Sequence, residues 1–235
     1  MIVAIHQPHY LPWLRYFDKI ARADAFVLLD DAQFTKNDWQ NRTRVKGPAG
    51  PVTLTVPVRS RLGETIAKTE IAVENPWRRK HAKTLMQYYG ACPAFKEAGG
   101  PFTELLSREW AGLGELAEAT VRLACRSLGI GTRIVRASEV GGEGTGTGRL
   151  VAICRELGAD AYLAGAYSVE QYLDVEAFRR EGVSLLVQDW KPPAYPQRYE
   201  QAGFAPDLSV VDLLFNCGAD SLKILLRGGD GYTAL

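Results

Sequence analysis

Histidine is scarce in this chain, with three copies in 235 residues, and the four cysteines stand far apart at Cys92, Cys125, Cys154 and Cys217. They form no CxxC or Cys/His pair, whereas structural zinc sites draw their ligands from such close pairs, so no metal site is expected. Their apolar helical surroundings make them buried thiols. No uninterrupted apolar stretch approaches the roughly 20 residues a bilayer-spanning helix requires. An excess of charge is missing too: 28 Lys and Arg face 27 Asp and Glu, leaving no global field to draw in a nucleic-acid backbone. The first residues lack the basic, apolar and small-residue regions of an export leader. A cytoplasmic protein without a membrane span is expected. No internal repeat of fixed period appears.

What is present is ordinary globular material, 46% apolar and 23% charged. Residues 2–5 read as a strand, Leu14, Phe17, Ile20 and Ala21 follow at helical spacing, and residues 25–29 read as a second strand ending in Asp30-Asp31. Strand, helix and strand within about thirty residues make the βαβ unit of a parallel sheet. Residues 161–165, 175–180 and 183–187 repeat that order, and 132–135 adds a strand. The expected fold is a single α/β domain over 1–235 with a five-stranded, mainly parallel, doubly wound sheet. Within it, residues 48–75 are expected to form an edge hairpin, with 52–58 pairing with 69–73, and residues 76–130 a helical segment. A helix is expected from Trp77, with Pro76 at its start, to a stop at Gly90, and one or two more over 102–128. The glycine-rich run 141–148 lacks the GxxxxGK[ST] of a phosphate loop and reads as a linker, with backbone phosphate contact at the start of the following helix as the alternative.

Chemistry concentrates at the end of the first strand. His6, Gln7, His9, Tyr10 and Trp13 fall just before an amphipathic helix, the edge at which open α/β sheets bind small molecules. His6 and His9 are candidate general bases because imidazole titrates near neutral pH; a structural pair capping the turn is the alternative. After the second strand comes a dense polar stretch that includes Asp30, Gln33, Lys36, Asn37, Asn41, Arg42 and Lys46. A solvated loop would explain it, but the amide side chains suit directed recognition. Gly165, Ser168, Gln171 and Tyr172 could reach the same cleft. Prolines around Tyr195 stiffen a loop that fixes Gln197. Asp212 and Asn216 lie at i and i+4 on an apolar helix, so they serve a buried polar network or a site.

The runs 6–13, 16–20, 26–31 and 33–42, with Trp77, Lys80 and His81, residues 162–172, Tyr195-Pro196-Gln197 and residues 209–218, resemble the WbqC-like family over nearly the full length. That resemblance implies bacterial surface-polysaccharide, amino-sugar or secondary-metabolite biosynthesis, and it brings His81, otherwise a solvent-facing helix residue, among the candidate site residues. A remoter resemblance joins the first strand and helix to the nucleotidyltransferases with an HxGH motif, of the HUP-like sheet type. Two alignments are open: His6-Gln7-Pro8-His9 has the histidine spacing, while Tyr10-Leu11-Pro12-Trp13 has the register to the helix. This second resemblance implies ATP with Mg as a cofactor.

The resulting expectation is an enzyme that joins an activated carboxyl or acyl group to an amine of a small, anionic substrate. His6, His9 and Tyr10 are its catalytic candidates. Gln7, Trp13, Asp30, Gln33, Lys36, Asn37, Asn41, Arg42, His81, Gly165, Gln197, Asp212 and Asn216 are its binding candidates, with Lys36, Arg42 or Lys46 meeting the anion. The alternatives are a non-catalytic protein that binds a sugar nucleotide or a pathway partner, and a tRNA-dependent aminoacyl transferase, the latter suggested by the basic residues at 36–46 and 78–80.

Overall fold

The computed structural model describes residues 1–235. In chain order, β1 (Ile2–His6), α1 (Leu14–Ala21) and β2 (Ala25–Leu28) form the expected opening unit. Two small antiparallel ladders follow, β3 (Arg42–Gly47) with β4 (Gly50–Thr55) and β5 (Val58–Arg59) with β6 (Glu70–Ile71). Next come α2 (Trp77–Tyr89), α3 (Phe95–Ser107) and α4 (Leu113–Leu128). The second half runs β7 (Arg133–Arg136), α5 (Ala137–Val140), α6 (Gly146–Glu156), β8 (Ala161–Gly165), α7 (Ala166–Gln171), α8 (Val175–Arg180) and β9 (Ser184–Asp189). It ends with α9 (Val210–Cys217), α10 (Ser221–Leu226) and β10 (Gly231–Ala234).

The main sheet has six strands, one more than expected, in the order β10-β9-β8-β1-β2-β7. All neighbours are parallel except β10, which pairs antiparallel with β9. Only Gly231 of β10 is buried, so no apolar alternation marks that edge strand in the sequence. Side-chain alternation along the central strands feeds two cores. Val3 and Ile5 with Val27 face α6 and α8 through Ile153, Cys154 and Phe178. Ala4 with Phe26 and Leu28 faces α1, α4 and α9 through Phe17, Val121 and Leu214.

From β1 the chain winds outward through β2 to β7, then returns across the sheet to β8, on the other side of β1. The connections after β1 and β8 therefore leave toward opposite faces, α1 to one core and α8 to the other. A crevice opens between the carboxyl ends of these two strands, the position where such sheets take ligands.

Three expectations change. The hairpin within 48–75 is two ladders: Val52 pairs with Val45, while only Val58 and Arg59 meet Ile71 and Glu70. The alternating residues of β4 have their partners in β3, inside the stretch expected to be a polar loop. The span 102–128 is two helices, the first beginning earlier, at Phe95, and running through Pro101. The run 141–148 is not a simple linker, because α6 starts inside it at Gly146.

Candidate active site

A cavity of about 760 Å³ occupies the crevice between the ends of β1 and β8. Its walls come from the end of β1 (His6, Gln7), from α1 with its start (Trp13, Arg15, Lys19), from the segment after β2 (Asp31, Gln33), from the start of α6, and from Gly165 with Ser168 and Tyr172 beyond β8. A smaller cavity of about 300 Å³ shares Trp13 and Arg15, and there the Arg44 guanidinium lies over the Trp39 ring at 5.4 Å.

The turn from β1 to α1 is set by Leu11, a non-glycine residue at φ 45°. A left-handed conformation of this kind persists only where the surroundings over-determine it. Here Leu11 N–H donates to Thr120 Oγ1 at 3.1 Å, while its carbonyl accepts from the hydroxyls of Thr43 (2.7 Å) and Ser209 (2.9 Å). The turn folds the aromatic residues together: the His6 ring lies 4.9 Å from those of His9 and Tyr16, and His9 lies 5.1 Å from Trp13. Tyr16 donates to the Gln7 carbonyl at 3.1 Å, and Gln40 donates to Gln7 Oε1 at 2.8 Å, so Gln7 is held at both ends.

His6 faces the cavity, and the one hydrogen-bond contact of its ring is Nδ1 with the Gln7 carbonyl, at 3.1 Å. Burial, aided by the nearby Lys19 charge, pushes its pKa down to about 3, so the resting ring is neutral. With the proton on Nδ1, Nε2 is left as an acceptor. His9 sits behind the cavity wall, 4% exposed, with neither ring nitrogen partnered, and burial holds it well below the ordinary histidine range.

Positive charge comes from residues outside the expected set. Lys19 is 7% exposed, makes no hydrogen bond, and is pushed down to about 8 by burial and by Arg15. Arg15 packs over the Trp190 ring. Arg149 ties the Asp31 carboxylate to the carbonyls of Gly141 and Ala137. Lys19 does leave a trace in the sequence, as one of two charged residues, with Asp18, set between Phe17 and Ile20 on a helix that buries its apolar side chains. The start of α6 left its trace in the glycine-rich run.

Of the expected site residues, the structure brings His6, Gln7, Trp13, Gln33 and Gly165 to the cavity, along with Ser168 and Tyr172. The others lie elsewhere. Tyr10 is fully buried with its hydroxyl 2.9 Å from His81 Nδ1, and both pack against Trp77. His81 is thus not solvent-facing, and burial lowers it to about 4. Asp30 accepts from the Ser138 N–H and hydroxyl and caps the turn at α5. Asn41 donates to the Val56 carbonyl. Exposed Asn37, at φ 70°, accepts from Arg42, and Lys36 is exposed. Strand β3 draws Lys46 away from the cavity into the interior, where its ammonium donates to Gln197 Oε1 and the Gly203 carbonyl.

Gln197, Asp212 and Asn216 belong to that second buried network. Asp212 accepts from Tyr89 at 2.7 Å and Tyr195 at 2.8 Å, and Asn216 donates to the Asp212 carbonyl. The network pins α9 to α2, β3 and the proline-rich segment before it, giving its polar members hydrogen-bond partners in the interior.

The WbqC-like protein family model matches residues 7–224. A Mycobacterium tuberculosis protein (strain ATCC 25618 / H37Rv), described as uncharacterized protein Rv1507c, is 34% identical over 224 residues, covering 93% of this chain and 95% of its own.

Proposed function

The chain belongs to the WbqC-like protein family, and from that premise we propose an enzyme of amino-sugar, surface-polysaccharide or secondary-metabolite biosynthesis. Its reaction joins an activated carboxyl or acyl group to an amine of a small molecule. The observation that carries this reading is His6, which ends the central strand, faces the cavity and has Nδ1 engaged by the Gln7 carbonyl. Its Nε2 can accept the proton of an amine. As the amine nitrogen attacks the acyl carbon, the C–N bond forms, the bond to the leaving group breaks, and the leaving group departs with the electron pair. Burial is the main cause of the low His6 basicity and the Lys19 charge the lesser one; an anionic substrate would offset the second and raise the imidazole's basicity to that extent.

The parallel strands, counted along the chain, lie in the order 3-2-1-4-5, which supports a nucleotidyltransferase or HUP-like reading of the sheet. ATP with Mg, when bound, would supply a phosphate-type leaving group. The cavity has the volume and the cationic side chains for it, although no three His, Cys, Asp or Glu side chains are grouped to hold a metal ion.

The test is a panel of acyl donors, or carboxylates with ATP and Mg, offered with amino sugars, read by phosphate or pyrophosphate release and by amide formation in mass spectrometry. Amine-dependent release is expected from the wild type and should fall by about 100-fold or more in His6→Ala. Equal turnover in His6→Ala removes the base; ligand binding without turnover across the panel makes this a binding protein instead.

A further inference from the structure

We propose that Lys19 and the first turn of α6 form an oxyanion subsite for a phosphate or diphosphate group of the substrate. The subsite deepens the reading above by naming the group that the cavity holds. It also gives the glycine-rich run 141–148 a role.

Helix α6 spans 11 residues, Gly146–Glu156, and has no acidic residue in its first turn and no side-chain cap from Thr145. The N–H groups of Gly146, Thr147 and Gly148 donate to nothing in the protein; the first engaged amide is that of Arg149, on the Thr145 carbonyl. Three unsatisfied donors at the positive end of a helix suit an anion. Gly144, Thr145 and Gly146 border the cavity, and a Cβ added at Gly146 or Gly148 would meet nothing within 4 Å, so the turn is open to a ligand.

The second observation is independent of the helix. Lys19 borders the same cavity from α1, is more than nine-tenths buried, and has no hydrogen-bond partner of its own. A mostly buried ammonium with no acceptor in the protein, bordering the cavity, favours an anion there. Asp18, beside Lys19 on α1, accepts from Arg22 and Gln188, and Asp31 at the cavity is neutralised by Arg149, so neither carboxylate stands free to repel the ligand. Several free N–H donors and one ammonium on the walls of the same cavity match the oxygens of a phosphate better than the two of a carboxylate.

The glycines follow from the geometry of this loop. At Gly142 (φ 79°) a Cβ would stand 3.0 Å from the Ala152 carbonyl carbon, and at Gly144 (φ 125°) 3.3 Å from Arg149 N. Both positions combine a left-handed backbone with close approach to α6, which only glycine meets without strain.

Isothermal titration with inorganic pyrophosphate tests the subsite on the wild type, Lys19→Met and Gly148→Asp. Met keeps the apolar stem, and Asp at 148 has open space and complements the helix dipole, so both variants should fold, as circular dichroism and melting would verify. Saturable binding is expected in the wild type, weakened at least about tenfold in each variant. No saturable binding in the wild type, or unchanged binding in both variants, overturns the proposal. Acetate competing as well as pyrophosphate also overturns it, in favour of a carboxylate site. Because the readout is binding, the subsite stands if the amine-transfer assay fails, and a His6→Ala protein that binds pyrophosphate normally separates the base from the subsite.

Discussion

The Lys19 ammonium lies 3.4 Å from the point where a side chain on Gly165 would begin. Gly165 has an ordinary extended backbone, φ −77° and ψ 144°, so space for Lys19 rather than conformation is what glycine supplies there. This contact joins α1 to the end of β8 across the point where the sheet reverses its winding.

Gly165→Ala should therefore fold normally and act on the ligand instead. Its Cβ would stand in van der Waals contact with the ammonium, and crowding an anion bound there is expected to weaken pyrophosphate binding about threefold to tenfold, roughly 1 kcal/mol. A melting scan without ligand and a titration with it separate the two effects. A large fall in the ligand-free melting temperature would contradict the account.

His9→Phe should flatten the acid side of the stability profile. An unfolded histidine takes up a proton near pH 6.5, whereas burial holds folded His9 well below that and His6 at about 3. Between those values the unfolded chain binds more protons, so stability is full above pH 6.5 and is lost as pH falls. Phenylalanine also removes two buried nitrogens without partners, so stability at pH 7 should be unchanged or higher by about 1 kcal/mol. Urea unfolding at pH 7, 6 and 5 gives the comparison, and identical pH slopes in the two proteins would refute it.

Tyr10→Phe is expected to behave as a core mutation. It deletes the buried contact with His81 Nδ1, outside the cavity wall, at a cost of about 1–2 kcal/mol. Pyrophosphate affinity should match the wild type. A selective loss of affinity at unchanged stability would return Tyr10 to the site.

Asp212→Ala strands the hydroxyls of Tyr89 and Tyr195, each fully dependent on that carboxylate as acceptor. The loss should reach about 3 kcal/mol, with Asp212→Asn clearly milder because it keeps one acceptor oxygen. Chemical denaturation of both variants measures the difference. Equal loss would mean that the charge, and not the hydrogen bonds, holds α9.

Much of the scaffold was legible because it depends on neighbours in the chain. The apolar runs at 2–5, 25–28 and 161–165 are buried on both faces and stand out as strands. Ser209 caps α9 and Gly218 closes it, both local signals. The cluster at 6–13 was likewise visible as a site, and His6, Gln7 and Trp13 do reach the cavity. Type and spacing could not say which way each ring turned: the adjacent His9 and Tyr10 both point into the interior, while His6 and Trp13 border the cavity.

Sequence alone determined the family, the mainly parallel α/β scaffold and the end of β1 as the place to look for a cavity, since these rest on local pattern and on strand order along the chain. Tertiary structure alone decided the occupants of the site. Whether a polar side chain meets the cavity or a buried partner depends on contacts between residues a hundred or more positions apart, such as Lys46 with Gln197, Asp31 with Arg149, and Lys19 beside Gly165. Burial then set the chemistry, leaving His6 neutral and Lys19 without an acceptor. Neither property belongs to a residue type or to its spacing, because both arise from the water that folding removes.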